Sequence, residues 1–242
     1  MLSDSNIKSW ILKKEGRESS SVLLILEAQE EIFHPFEWAN INKPFLENYL
    51  VKYGGVLLRN FSIYSVSEFD RIVRSLCPNL LDYTYRSTPR TKLGGKIYTA
   101  TEYPASRNIP LHNENSYSMS WPQKVFFFSM IVASEGGATP LADSRTIYKR
   151  ISPQIKAKFE KYGVMYTRNY SKGIDLSWQE VFQTEEKEEV ERYCQRYNIN
   201  LEWRERVPEL TTWQTCQATL VHPTSRELVC FTPTNNARQS VV

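Results

Sequence analysis

His112 and Glu114 stand two residues apart in Leu111-His112-Asn113-Glu114, and their types and spacing suit metal chemistry. In an extended chain, residues two apart point to the same side, so the imidazole and the carboxylate are presented together while Asn113 turns away. Two histidines and one carboxylate can hold Fe(II) on one face and leave three positions open, as a reaction that binds a keto acid and then dioxygen requires. His112 and Glu114 are two-thirds of that set. Their spacing alone is weak evidence, because with 3 histidines and 27 acidic residues an H-x-D/E triplet arises by chance about a third of the time. An imidazole beside a carboxylate is also more often an ordinary hydrogen-bonded pair than a metal site.

Other donors are sparse. The remaining histidines are His34 and His222, and the four cysteines, Cys77, Cys194, Cys216 and Cys230, form no C-x-x-C pair. That spacing suggests neither a zinc cage nor a disulfide framework, and a reducing cytoplasm is the simplest home. The net charge of +3 comes from 30 basic and 27 acidic residues that are interleaved, so no nucleic-acid partner is implied. The longest near-continuous apolar run, residues 125–133, is far shorter than a membrane span, and the N-terminus has no apolar leader. The expectation is a soluble, unprocessed protein with no membrane partner.

The elements that must position the pair read as mixed α and β. A chain of 242 residues, 41% hydrophobic and 13% aromatic, can bury one large core, and residues 1–242 read as a single domain. The apolar run 22–26 has the length and branching of a buried strand. Pro44 can open a helix that stops at Gly54-Gly55, and a strand at 56–59 follows. Residues 65–76 read as a second helix, with Ser67 as the candidate cap and Phe69, Ile72, Val73 and Leu76 on one face. From 83 to 133 the pattern predicts strands and long loops, with 125–133 as a central strand. Residues 144–162 read as a helical insert restarted at Ser152-Pro153, and 185–197 as a charged helix. Strands are expected at 201–203, 215–221 and 228–231, with His222 to Arg226 as the turn between the last two.

Leu111-His112-Asn113-Glu114-Asn115-Ser116-Tyr117 is followed by Trp121-Pro122, the apolar run, and Glu135-Gly136-Gly137-Ala138-Thr139-Pro140-Leu141-Ala142-Asp143. This order resembles the TauD/TfdA-type family, the taurine dioxygenase and clavaminate synthase-like Fe(II)/2-oxoglutarate oxygenases, in particular its amino-acid tailoring members. Gly55 to Phe61 and Tyr98 to Pro104 share the likeness, which covers roughly residues 45 to 232. The resemblance implies a double-stranded β-helix (jelly roll) with flanking helices, in a mixed α+β chain. It also implies Fe(II) as cofactor and 2-oxoglutarate as co-substrate, with His112 and Glu114 as metal ligands and Thr139 as the residue that meets the 2-oxoglutarate carboxylate. Hydroxylation of an amino acid, free or tethered to a carrier protein, in antibiotic-type secondary metabolism is the implied use. Arg86, Arg90, Asn108, Asn115 and Tyr117 are candidates to meet an acidic or zwitterionic substrate.

The family pattern also requires a distal histidine and, after it, an arginine for the keto acid. His222 and Arg238 stand in the right order, but His222-Pro223-Thr224 resembles a hairpin that precedes the true ligand. The expectation is therefore a C-terminally incomplete domain that lacks the last strands of the barrel. Two rivals follow from that expectation: a catalytically incompetent jelly-roll fragment or binding module, and a zinc hydrolase built on His112, Glu114 and His222.

Overall fold

The apolar run 22–26 lies inside a strand, as its branching predicts. In the computed structural model, which describes residues 7–13, 21–32, 34–85, 87–88, 90–100, 102, 109–171, 176–205 and 209–231, β1 (Ile7–Lys13) pairs antiparallel with β2 (Ser21–Ile32). β2 pairs parallel with β3 (Val56–Phe61). A parallel connection needs a crossover, and α1 (Pro35–Ile41) and α2 (Lys43–Tyr53) supply it. Gly54 closes α2 in the left-handed region at φ +82°, where a residue without Cβ is unstrained. α3 (Val66–Leu76) then packs against α1. Leu24, Leu26, Trp38, Leu46, Tyr53 and Ile72 form the first core.

β4 (Lys92–Gly94) and β5 (Ile97–Tyr98) make a short hairpin. α4 (Ser144–Arg150) and α5 (Pro153–Tyr162) divide at Ser152-Pro153 as expected. Gly163 follows α5 at φ +69°, and a Cβ there would lie 2.5 Å from the main-chain oxygen of Cys216. Only glycine lets the chain turn there into β6 (Val164–Tyr170). α6 (Trp178–Phe182), α7 (Lys187–Arg196) and β7 (Asn200–Trp203) follow, then β8 (Leu210–Cys216), β9 (Thr219–Val221) and β10 (Leu228–Cys230). β6, β8 and β7 form an antiparallel sheet in that order, and β9 pairs with β10. Tyr170, Trp178, Val181, Val190, Cys194 and Leu210 make the second core. Leu210 is fully buried, which stabilises the fold by roughly 2 kcal/mol.

The described residues are thus mixed α and β, with strands arranged in several small sheets. No helix among them is long and apolar enough to cross a membrane.

Three expectations need correction. Residues 125–133 form no strand, and Phe127, Ile131 and Val132 are 74%, 91% and 79% exposed. The period-two alternation is present, since Phe126 and Phe128 are half-buried and Val125 and Phe127 are exposed, but no described strand lies alongside to complete the ladder. Ser65, not Ser67, caps α3: its hydroxyl accepts from Glu68 N at 3.1 Å while the Glu68 carboxylate accepts from Ser65 N at 3.1 Å. Ser65-x-x-Glu68 is a capping box that satisfies donors at both ends of the turn, which a cap at Ser67 cannot do. The expected strand at 215–221 is two strands, because β8 ends at Cys216 and β9 begins at Thr219.

Candidate metal centre

Leu111 to Glu114 is not a strand; Glu114 opens a turn that runs through Tyr117. Asn115 sits there at φ +54°, a conformation that asparagine tolerates better than most residues. The alternation of side chains nonetheless holds. Asn113 turns away, donating from Nδ2 to the main-chain oxygen of Cys230 at 3.3 Å, and its Oδ1 accepts from the Ser144 hydroxyl at 3.4 Å. The motif is thereby fixed to the end of β10 and the first turn of α4.

His112 and Glu114 are brought together, with Nε2 of His112 3.9 Å from Oε2 of Glu114. The other imidazole nitrogen, Nδ1, lies 2.8 Å from the carbonyl oxygen of Pro110, which can only accept. Nδ1 therefore carries the proton, and the Nε2 lone pair is left for a metal. Neighbouring donors about 2.1 Å from an octahedral ion sit about 3 Å apart, so a shift of under an ångström or so lets both groups share one cation. The half-exposed imidazole and the less exposed carboxylate give that cation an open side. On donor type and approach the pair fits Fe(II), as two of the three protein ligands.

Arg90 holds the other oxygen of this carboxylate, its Nη2 3.2 Å from Glu114 Oε1, and its guanidinium lies 4.6 Å from the centre of the Tyr83 ring. Behind them Tyr117 reaches the Tyr85 main-chain oxygen at 3.3 Å and Asn115 Oδ1 at 3.2 Å. Burial, with Tyr83 nearby, pushes the Tyr117 hydroxyl far above its ordinary value, so it remains a proton donor. Arg168 on β6 lies within 4.7 Å of the Tyr85 ring centre and 5.8 Å of that of Tyr117. Gln214 on β8 donates to the Tyr117 main-chain oxygen. Arg168 is missing from the sequence-based candidates. The readable signal is period two in Tyr166, Arg168 and Tyr170, which share one face of β6.

His222 is not gathered with the pair. His222 lies in the β9–β10 turn, where its Nδ1 accepts from Ser225 N at 3.1 Å. Among the described residues no three or more His, Cys, Asp and Glu side chains gather as a metal site, so the structure does not assemble the His112, Glu114 and His222 centre of a zinc hydrolase. Thr139 is exposed in 131–142. Arg86, Asn108 and Arg238 lie outside the described residues.

Residues 24–242 match the family described as taurine catabolism dioxygenase TauD, TfdA family. Over 186 residues the chain is 40% identical to the dapdiamide synthesis protein DdaC of Enterobacter agglomerans, covering 77% of this chain and 56% of that protein. It is 31% identical over 172 residues to a clavaminate synthase-like protein of Arabidopsis thaliana, covering 67% of this chain and 52% of the relative. The chain spans about half the length of the curated relatives it matches.

Proposed function

This chain belongs to the TauD/TfdA dioxygenase family, and on that premise we propose that it carries the proximal part of an Fe(II)/2-oxoglutarate-dependent oxygenase site acting on an amino acid or a close derivative. The carrying observation is the His112–Glu114 pair, with Nδ1 tied to Pro110 and Nε2 turned towards the carboxylate. Family members generally use Fe(II) and 2-oxoglutarate; bound iron supplies oxidation by dioxygen, coupled to breakdown of the keto acid. In this chain His112 and Glu114 hold the metal, Arg90 fixes the carboxylate, and Tyr117 keeps its proton beside them. Thr139 is the residue proposed to meet the keto acid carboxylate.

Likeness to a protein named for dapdiamide synthesis supports a small, amino-acid-related substrate in secondary metabolism, free or carrier-tethered. The antiparallel β6-β8-β7 sheet and the β9–β10 hairpin support the jelly-roll frame of the family. Four free cysteines support a reducing, cytoplasmic setting.

Anaerobic titration with Fe(II) and 2-oxoglutarate tests the reading. A visible metal-to-ligand charge-transfer band is expected, and it should vanish in both His112→Ala and Glu114→Ala. No band at millimolar ligand would overturn the proposal. A second reading, a binding module without catalysis, is favoured by the fact that only two donors gather among the described residues. It predicts metal retention with no oxygen-dependent loss of 2-oxoglutarate.

A further inference from the structure

A cleft of about 680 Å³ opens beside the turn that carries Glu114, sharing Asn115 and Tyr117 with it. Its volume suits a small organic molecule. One wall is α7, which presents Arg192, Tyr193, Arg196 and Tyr197. Residues four apart on a helix are stacked neighbours, so this pattern sets two guanidinium groups one turn apart and two phenol rings one turn apart. The Tyr193 and Tyr197 ring centres are 4.5 Å apart, and Tyr193 also stacks on Tyr85 at 5.9 Å. Tyr193 and Tyr197 thus make a two-ring ledge, backed by Tyr85 in the core.

The charge of this wall is only partly answered. Asp82, the carboxylate lining the cleft, is held by Lys96 Nζ at 3.0 Å. Arg192 meets Glu189 at 3.9 Å, with both side chains more than half exposed, a separation that contributes little. Arg196 has no carboxylate within ion-pair distance among the described residues; its guanidinium lies over the Tyr197 ring, 5.6 Å from the centroid.

We propose that this cleft binds an organic phosphate, with the phosphoryl group on Arg192 and Arg196 and an aromatic or other flat body on Tyr193 and Tyr197. Two guanidinium forks offer more N–H donors than the two oxygens of a carboxylate can use, whereas a phosphate monoester has three terminal oxygens and a second negative charge. The tyrosine ledge adds affinity for a flat body by stacking. The proposed contacts, Arg192, Arg196, Tyr193 and Tyr197, include neither His112 nor Glu114.

Isothermal titration of the full chain with phenyl phosphate, inorganic phosphate and benzoate tests the proposal without metal or turnover. Phenyl phosphate should bind at sub-millimolar concentration and at least about tenfold tighter than either fragment. Arg192→Gln/Arg196→Gln, at two exposed positions, should weaken phenyl phosphate by about tenfold or more. Tyr197→Ala should weaken phenyl phosphate and leave inorganic phosphate unchanged. Absence of heat at millimolar phenyl phosphate, unaltered binding by the double variant, or benzoate binding as tightly as phenyl phosphate would each overturn it.

Discussion

Arg90 and Glu114 form an ion pair at 3.2 Å in which both side chains are largely buried. The guanidinium therefore occupies one oxygen of the carboxylate whose other oxygen faces His112. A cation arriving at that pair meets a positive charge already bound to one of its ligands, and the repulsion is substantial where water screens poorly. Arg90→Gln should bind Co(II), a spectroscopic substitute for Fe(II), roughly tenfold more tightly than the parent chain. Equal affinities in a visible-absorption titration would show that the ion pair does not weigh on the metal.

The capping box at the start of α3 predicts a contrast between two serines of the same segment. Ser65→Ala removes the hydroxyl that accepts from Glu68 N and should cost about 1 kcal/mol in urea unfolding. Ser67→Ala removes no cap and should stay within about 0.5 kcal/mol. Equal effects would contradict the assignment of Ser65.

Asp143 caps α4, accepting from Arg145 N at 3.0 Å, Arg145 Nε at 2.9 Å and Thr146 Oγ1 at 3.2 Å. Burial alone pushes this carboxyl up, but the Arg145 hydrogen bonds and charge outweigh it and hold the group below its ordinary value. A lowered folded-state value means that the charge stabilises the fold above the unfolded value, about pH 4, and that this stabilisation is lost as pH falls further. Asp143→Asn keeps a capping side chain but not the charge. Its urea midpoint should lie below the parent's by a constant amount from about pH 7 to 5, and the gap should close below about pH 4. A gap that persists to about pH 3 would rule out the ion pair as its source.

The legible parts of the chain were those in which local pattern and local chemistry agree. Gly54 and Pro44 mark the ends of α2, Ser152-Pro153 restarts a helix, and His222 to Arg226 turns between β9 and β10. Residues 125–133 show the limit. Apolar alternation specifies which side chains point inward, and Phe128 does pack on Phe69 at 5.1 Å, but a strand exists only where another backbone lies alongside. Residues 164–170 show the opposite case: no strand is assigned to them from pattern, because polar Thr167, Arg168 and Asn169 break any apolar alternation, yet Tyr166 and Tyr170 are buried and Arg168 half-buried on one face of β6. Polar residues in a core read as surface in a linear pattern. For the site, spacing identified His112 and Glu114 as a pair; no spacing predicts that Arg90, 24 residues upstream, closes on Glu114.

The bond from Asn113 to Cys230 spans 117 positions, which gives the His112–Glu114 turn a timetable as well as an address. A growing chain carries the motif long before its anchor has been synthesised, and long loops close late because their entropy must be overcome before the contact gives anything back. The bond to Ser144, 31 positions on, can form earlier, but the anchor to Cys230 is complete only once the end of β10 has docked, so metal added during refolding should be captured more tightly in the slow final phase than in the early collapse.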